Sequence, residues 1–488
     1  MPRARIVRDS LIIGVAQIIS NISGFLLLPL ITAELGPNDY GIWIQLSLIV
    51  SLAVPICQLS LSSALIRYLS AEKNVLVFTD RYYSVLCFVT LVAGCASTFL
   101  LLLSENLSQL IFHDINTSNL IRLISPLLFV SSLEVVVLVY FRIIGQIRLF
   151  GALSIMKTIV QLSLVSAFLI LDYSISGVIL GNLISIVIEI LIGTTIIVRH
   201  LGIVWPSFRD LKRMILFSVP LVPNNSIKWL ADSSDRFLIS FFLGTGMAGI
   251  YSAAYTLGSV VALLSVPIQF ILYPLLSKTY DEGRKKDVST YISTSIRLYL
   301  LIAIPAATGV GALAPDLMTA ITSNDYSQGS EIVPIFALTS LINGLFIIIS
   351  SVVIVVNKTR YHLFFSTIAA GTNIILNLAL IPVAGIIGAS IASFSAIALM
   401  TIITIKVSKR HLPFEVSWHF CIKSLVSSAL MAGFILAMDV DSLIEIIFTI
   451  ILGITIYFGS LYVIKGYGPI ELDILRYVIV RSKQILHR

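Results

Sequence analysis

Long apolar segments recur along this chain, and short polar connections separate each from the next. A helix needs about 20 mainly apolar residues to cross a bilayer, and fourteen segments meet that length. They lie near residues 10–33, 42–66, 83–104, 120–141, 150–171, 177–198, 214–243, 247–276, 291–313, 331–356, 361–381, 385–405, 418–438 and 442–464. The pattern predicts an all-α polytopic membrane protein with fourteen transmembrane helices.

Composition and charge agree with this prediction and orient the helices. Hydrophobic residues make up 57% of the chain and charged residues 12%, whereas soluble domains carry about 25% charged residues. Lys and Arg concentrate in every second connection, and the connections between those, such as 104–119 and 314–330, contain neither. Because basic loops stay on the cytoplasmic side, we expect both termini in the cytoplasm (N-in/C-in) and the chain in the cell membrane. Basic inner loops beside anionic lipid also explain the net charge of +7 without a nucleic-acid partner.

Parts of the chain repeat each other at nearly one offset. Leu35-Gly36-x4-Gly41-Ile42-Trp43 matches Leu243-Gly244-x4-Gly249-Ile250-Tyr251, 208 residues later, and Gly177 matches Gly385 at the same offset. Because an even number of helices, six, separates the copies, the repeats are parallel. The predicted organisation is an N-terminal six-helix lobe at 1–200, a cytoplasmic linker at 201–213, a C-terminal six-helix lobe at 214–410, helices thirteen and fourteen within 411–465, and a cytoplasmic amphipathic tail at 466–488.

Helix seven departs most from the apolar pattern, because it carries four charges. Lys228, Asp232 and Arg236 fall at i, i+4 and i+8, so they project from one face, with Asp235 beside them. A charge at membrane depth costs at least ~2.5–3.5 kcal/mol, so such residues usually face a cavity or each other. One interpretation is therefore a structural ladder of ion pairs.

The same helix also has features of a water-filled cavity wall. Pro220 and Pro223 remove backbone hydrogen bonds, and the polar run Asn224-Asn225-Ser226 follows them. Irregular backbone at membrane depth is tolerated only beside protein or water. The sequence thus leaves structural pairing and substrate contact both open for the four charges.

Other polar residues within the predicted helices have two interpretations each. Lys157 and Arg297 lie about seven residues inside the cytoplasmic ends of helices five and nine, roughly 10 Å deep, where they snorkel to the interface or line a cavity. Tyr251 and Tyr255 lie one turn apart on helix eight and stack on a sugar or form a lobe interface.

The soluble segments are too short to support several kinds of enzyme. No Gly-x4-Gly-Lys-Ser/Thr loop is present to hold a nucleotide, and the outer loops lack the paired carboxylates or His cluster of a membrane glycosyltransferase. The four cysteines lie in predicted helices without metal-ligand spacing. We therefore expect a transporter and no cofactor or metal.

Several runs carry a resemblance to a known family. The arrangement Pro220…Asp235-Arg236-Phe-Leu-Ile…Phe-Leu-Gly244…Gly249-Ile-Tyr251-Ser-x-Ala-Tyr255 resembles helices seven and eight of Wzx-type polysaccharide flippases. Those proteins belong to the multidrug/oligosaccharidyl-lipid/polysaccharide (MOP) exporter superfamily. Leu-Pro-Leu…Leu-Gly-Pro-x-Asp-Tyr-Gly at 28–41 and Ile-Pro-x-x-Gly-Ile-Ile-Gly-Ala at 381–389 are similar to other stretches of that family.

The resemblance implies two parallel six-helix lobes in a MATE-like V around a central cavity, plus two C-terminal helices. It implies that a monomer moves a polyprenyl-(di)phosphate-linked oligosaccharide from the inner to the outer leaflet by alternating access. The implied partners are membrane lipids and glycan polymerase or transferase proteins. Asp232 and Asp235 would form switching ion pairs or take up a coupling H⁺ or Na⁺. The candidate cavity residues are Lys228, Arg236, Lys157, Arg297, Asn224, Asn225 and Tyr255.

Three alternatives remain beside this interpretation. A multidrug or organic-cation antiporter of the same superfamily typically has twelve helices and an acidic cavity, which the extra helix pair and the intramembrane cations disfavour. A peptidoglycan-precursor flippase also fits fourteen helices. A membrane glycan ligase or polymerase lacks outer-loop chemistry in this chain.

Overall fold

The computed structural model describes residues 24–112, 114–358, 360–438, 440 and 442–468. Regular secondary structure in these ranges is entirely helical, and eleven of the described helical segments are long and apolar enough to cross a membrane. The predicted class, an all-α multi-pass membrane protein, is therefore confirmed. Both termini, the start of the first predicted helix and most of the predicted tail at 466–488 lie outside the described residues.

The described residues form two compact units, and the first comprises residues up to 256 together with 366–393. Hydrophobic side chains of its helices form a core in which Tyr82, Val85 and Tyr140 are fully buried. The helices are α1 (Gly24–Glu34), α2 (Pro37–Cys57), α3 (Leu61–Leu69), α4 (Val75–Leu102), α5 (Ser104–Phe112), α6 (Ser118–Ile143), α7 (Ile147–Ile170), α8 (Ser174–Leu201), α9 (Leu211–Ser218), α10 (Val222–Leu243), most of α11 (Thr245–Ser259) and the middle of α16 (Arg360–His411).

The second unit comprises residues 257–365 and 394–468. Two buried tyrosines tie its helices together: the Tyr299 hydroxyl donates to the Leu341 carbonyl at 3.1 Å, and the Tyr457 hydroxyl donates to the Leu301 carbonyl at 2.9 Å. The helices are α12 (Ser265–Asp281), α13 (Lys285–Ala312), α14 (Ala314–Ile321), α15 (Val333–Val355), the ends of α16, α17 (Trp418–Leu436) and α18 (Leu443–Val463).

A cavity of about 280 Å³, here called the apolar groove, lies between α13, α17 and α18 of the second unit. Its lining is almost wholly apolar and includes Gly309, Met431 and Gly453. Since a glycine has no side chain to fill the space between helices, Gly309 and Gly453 help to keep the groove open.

Four predicted helices have a different course from the one expected. The second breaks between α2 and α3, where Leu59 and Ser60 adopt positive φ angles of 46° and 54°. The seventh divides into α9, a 3-10 turn at Val219–Leu221 and α10, because Pro220 and Pro223 cannot donate backbone hydrogen bonds. The eleventh and twelfth form one segment, α16, whose backbone leaves helical geometry at Gly385 (φ 58°, ψ −138°).

The repeated glycine motifs pack against each other within the first unit. A Cβ atom added at Gly41 would overlap the Thr245 carbonyl, and one added at Gly249 would overlap the Pro37 carbonyl. The Thr245 hydroxyl also donates to the Asn38 side-chain carbonyl at this crossing. Small residues let helix backbones approach closely, so the motif places the first turns of α2 and α11 in direct contact. The predicted lobe boundaries stay a prediction.

Candidate functional site

Helix α10 carries four charged side chains on a helix of membrane length. It has 22 residues, yet it is not among the eleven segments apolar enough to be membrane spans. Asp235 and Arg236 are buried, with 5% and 9% of their surfaces exposed, whereas Lys228 and Asp232 are exposed. The helix therefore buries one acid and one base and presents a second pair outwards.

The Arg236 guanidinium lies against an aromatic face. Its Cζ atom is 4.3 Å from the centroid of the Tyr255 ring, a cation–π distance at which the ring partly replaces lost hydration. The Arg236 carbonyl accepts a hydrogen bond from Gln45 Nε2 at 2.7 Å, which attaches this turn of α10 to α2. Arg236 Nε is buried and has no hydrogen-bond partner among the described residues, so the cation retains an unused donor.

Asp235 is held by hydroxyl and amide groups. Its Oδ1 accepts from the Arg236 backbone N–H at 2.8 Å, and its Oδ2 accepts from the Tyr251 hydroxyl at 2.6 Å and from the Ser393 hydroxyl at 3.3 Å. Asn373 Nδ2 donates to Ser393 Oγ at 3.1 Å, and Asn377 Nδ2 donates to Asn373 Oδ1 at 2.8 Å. These groups are called the Asp235 network below, and its members are Asp235, Tyr251, Asn373, Asn377 and Ser393.

The ladder of ion pairs, one of the two interpretations that the sequence left open for helix seven, is not formed among these four side chains. In the described part of the chain, no ion pair within 4.0 Å includes any of its four charges. Successive residues on a helix point about 100° apart, so Asp235 turns to Tyr251 while Arg236 turns to Tyr255. Asp235 is therefore stabilised by neutral donors, and Arg236 is left without a carboxylate partner within the described residues.

The two asparagines of α10 have different environments. Asn225 Nδ2 donates to Ser60 Oγ at 3.0 Å, and one turn later Trp229 Nε1 donates to Ser51 Oγ at 2.9 Å. Together with the bond from Gln45, these contacts join α10 to the α2–α3 segment along its length. Asn224 is half-buried. Asn225 thus has a positioning contact, which its sequence environment did not reveal.

Lys157 and Arg297, the other two predicted cations, each have partners within their own unit. Lys157 Nζ lies 2.6 Å from Glu134 Oε1 within the first unit. Arg297 belongs to the second unit, where its Cζ lies 4.7 Å from the Phe420 ring centroid and a terminal nitrogen donates to the Gly466 carbonyl at 3.3 Å. Of the predicted contacts, Arg236, Tyr255 and Asp235 lie together, and Lys228 projects from the same helix.

Several residues of the Asp235 network were not predicted from the sequence. Asn373 and Asn377 stand at i, i+4 inside an apolar segment, a spacing that places both amides on one face. That spacing could have identified the two asparagines as a polar face within the helix. Ser393 had no comparable signal, because single serines are common in membrane helices. No group of three or more His, Cys, Asp or Glu side chains that could hold a metal ion occurs in the described ranges.

Comparison with known proteins finds relatives that are named as flippases. A protein of Haloferax volcanii named "Probable low-salt glycan biosynthesis flippase Agl15" is 23% identical over 257 residues, which cover 52% of this chain and 54% of that protein. The chain spans about half the length of the curated relatives it matches.

Solved structures show the fold. One described as "Lipid II flippase MurJ, inward closed conformation" matches with a TM-score of 0.77 at 17% identity, covering 92% of this chain and 98% of that one. A multidrug resistance MATE family transporter of the MOP superfamily, in an inward-facing conformation, matches with a TM-score of 0.63 at 12% identity, covering 80% and 94%. The chain therefore has the MurJ/MATE fold.

A family model described as "Polysaccharide biosynthesis protein" matches residues 34–334, which is more than half of the chain and includes α10 and α11. The resemblance seen in the sequence motifs is thereby confirmed. By this match the chain belongs to the polysaccharide biosynthesis protein family of membrane proteins.

Proposed function

We propose that the protein is a flippase that moves a polyprenyl-(di)phosphate-linked oligosaccharide from the inner to the outer leaflet of the cell membrane for surface polysaccharide synthesis. It acts as a transporter and not as an enzyme. Family membership and the names of the relatives support the proposal. The observation that carries it is Arg236, a buried guanidinium on an aromatic ring that forms no ion pair with a described residue.

Arg236 suits the phosphate groups of such a lipid. A diphosphate cannot cross hydrocarbon unaided, and a guanidinium can replace part of its hydration with two parallel N–H···O bonds. The exposed Lys228 and the half-buried Asn224 on the same helix supply further donors, and the Tyr255 ring orients the guanidinium. Because Lys157 and Arg297 already have partners, Arg236 and Lys228 are the proposed substrate contacts.

The second unit has a surface that suits the lipid chain of the proposed substrate. The apolar groove is lined almost only by hydrocarbon side chains, and burial of apolar surface is favourable at about 25 cal/mol per Å². An isoprenoid chain is therefore a suitable occupant, whereas a charged drug is not. This supports a lipid-linked substrate.

The proposed topology has fourteen transmembrane helices with both termini in the cytoplasm. Counting α16 as two helices about Gly385 and adding α1 and α10 to the eleven apolar spans brings the number to fourteen. Transport proceeds by alternating access. We propose a functional monomer, with glycan polymerases or transferases as protein partners.

Orientation can be checked by labelling single cysteines in a variant without native cysteines. A membrane-impermeant maleimide is expected to label Asn116→Cys in intact cells, because that loop lacks Lys and Arg. It is expected to label Glu282→Cys, in a loop with four basic residues at 278–286, only after permeabilisation. The opposite pattern would reverse the proposed orientation.

The Asp235 network is the proposed site for a coupling cation, Na⁺ or H⁺. Hard cations take oxygen ligands from carboxylates, amides and hydroxyls, and the network supplies all three. Asn377 Oδ1 is also fully buried without a hydrogen-bond partner in the described part of the chain. A buried acceptor of this kind is a suitable ligand for a bound cation, and Asp235 supplies the negative charge that balances the cation.

Gene deletion followed by lipid extraction tests the function. We expect one lipid-linked oligosaccharide to accumulate on the inner leaflet and surface polysaccharide to be lost, because the precursor cannot cross the membrane alone. Reintroducing the gene should restore both. Unchanged lipid pools together with normal surface glycan would contradict the proposal.

A second candidate function is favoured by the structural match to a lipid II flippase. In that case the substrate would be a peptidoglycan precursor, and depletion would stop cell-wall synthesis and be lethal. A multidrug or organic-cation antiporter is the third candidate, on the match to a multidrug resistance transporter. Drug resistance on overexpression without any change in glycan would favour it.

A further inference from the structure

Helices α6, α7 and α8 of the first unit bring three ionisable side chains together away from the Asp235 network. They are Glu134 on α6, Lys157 on α7 and Glu189 on α8. Lys157 Nζ lies 2.6 Å from Glu134 Oε1, and Glu189 has Glu134 and Lys157 as its charged neighbours. These three residues are called the cluster below, and the proposed transport function assigns no role to it.

Close helix packing explains why the two glutamates meet. Gly193 follows Glu189 by one turn of α8, and a Cβ atom there would press against the Val137 side chain, one turn after Glu134 on α6. On the other side of α8, Gly181 meets the backbone of Val165 on α7 in the same way. Small residues on α8 thus admit both neighbours at short range and bring Glu134 on α6 beside Glu189 on α8.

Glu189 is the unusual member of the cluster. Its surface is 0% exposed, and neither carboxylate oxygen has a hydrogen-bond partner among the described residues. Among the described residues, α2 also packs on α8, and its only acidic or basic residue is Asp39, in its first turn. Glu134 and Lys157 are 13% and 25% exposed at their side chains. Glu189 therefore lies behind a more open ion pair, and in the described part of the chain α2, α6 and α7 turn no other charge towards it.

The charges of the cluster do not balance if both carboxyls are ionised. Two carboxylates and one ammonium leave one negative charge in a buried site, where an isolated carboxylate is strongly unfavourable. Two adjacent carboxyls relieve this by holding one proton between them. Glu134 stands close enough to Glu189 to form that hydrogen bond once one group is protonated.

We propose that Glu134 and Glu189 form a proton-binding site that holds one shared proton beside Lys157. The proton neutralises the cluster and supplies the donor that Glu189 lacks. A Na⁺ ion would need about six oxygen ligands, whereas the pair provides at most four carboxylate oxygens and one of these already binds Lys157. Release of the proton leaves Lys157 as the single counter-charge to two carboxylates.

The site makes transport depend on a second ion, the proton, besides the coupling cation, and this part of the inference rests on the proposed function. Glu134 and Lys157 are partly exposed, so the shared proton can leave the cluster on their side, whereas Glu189 is fully buried. Loss of the proton adds one negative charge between α6, α7 and α8 and therefore favours a conformation that hydrates the cluster. Transport is thus expected to depend on pH through Glu189.

Infrared spectroscopy tests the proton directly, without any transport assay. The protein is purified in a detergent that has no ester or carboxyl group. The wild type minus Glu189→Gln difference spectrum near neutral pH is expected to show a protonated-carboxyl band that shifts in heavy water. Glu134→Gln should also remove the band, because the remaining carboxylate is then balanced by Lys157. Glu105→Gln, at an exposed pair with Arg122, is the matched control and should retain it.

Three results would overturn the proton site. The first is the absence of a protonated-carboxyl band in the wild type, and the second is a band that persists in both glutamine variants. Displacement of the band by Na⁺ at constant pH would instead identify a metal cation and also overturn the proposal. Since each glutamine variant tests the pair independently, misfolding of one leaves the other decisive.

Reconstituted flipping then tests the link to transport. The rate in wild-type protein is expected to change with pH, and Glu189→Gln, which is permanently neutral, should flip lipid at a rate independent of pH. A pH-dependent rate in that variant would overturn the link. Failure of the wild type to flip any lipid-linked oligosaccharide would reject the proposed function alone, because the infrared result does not depend on it.

Discussion

Replacing Arg236 with alanine is expected to lower the rate of lipid-linked oligosaccharide flipping by about tenfold to a hundredfold. Hydrogen bonds to a charged group contribute about 1.5–3 kcal/mol, and 1.4 kcal/mol corresponds to a tenfold change. The guanidinium is buried on the Tyr255 ring with an unused Nε donor, so its loss removes the strongest phosphate contact that we assign. The measurement is flipping in proteoliposomes at matched protein content.

Lysine at the same position separates a phosphate contact from a structural role. Arg236→Lys keeps the positive charge and much of the volume, but it cannot form two parallel bonds to a phosphate. We expect normal abundance and thermal stability with flipping several-fold below wild type. Arg122→Ala, at a half-exposed pair with Glu105, removes an arginine elsewhere and should leave the rate unchanged. Wild-type flipping by Arg236→Ala would rule out the assigned contact.

The second large effect is expected for Asp235→Asn, which should abolish the response of transport to an imposed Na⁺ gradient. Asparagine has nearly the same shape and can still accept from Tyr251 and Ser393, but it carries no charge to hold a cation. Replacing a carboxylate ligand by a neutral amide removes most of the attraction to a monovalent ion. We therefore expect gradient-driven flipping to fall at least about tenfold, to the rate without a gradient.

Gradients of Na⁺ and of protons, imposed separately on proteoliposomes, identify the ion. The amide and hydroxyl oxygens around Asp235 favour Na⁺, so we expect a Na⁺ gradient to drive the wild type and not Asp235→Asn. Asp281→Asn, exposed at the end of α12, is the control and should respond as wild type does. If the Na⁺ gradient stimulated flipping by Asp235→Asn to the wild-type level, the Asp235 network would have no role in ion coupling. The flipping rate of Asp235→Asn should still depend on pH through Glu189, since the Asp235 network and the Glu134–Glu189 proton site have no residue in common.

Helix α10 shows how far the sequence determined the candidate site. The four charges and the two prolines identified this helix, and the structure has the break near Pro220 that proline chemistry requires. The i, i+4 spacing nevertheless indicated ion pairs that the described residues do not form. Spacing along a helix shows which side chains share a face, but it does not include the hydroxyl and aromatic groups that other helices bring to that face.

By itself, the sequence determined the all-helical membrane class and the positions of most helices. It could do so because hydropathy and backbone hydrogen bonding are local to each segment, as in α4, α7 and α13. Only the tertiary structure decided which polar groups meet. Tyr251 and Ser393 reach Asp235, and Glu189 reaches Glu134, from residues 16 to 158 positions away. Those partners depend on where helices cross, and the crossings are set by close contacts such as Gly193 against Val137 that no single segment contains.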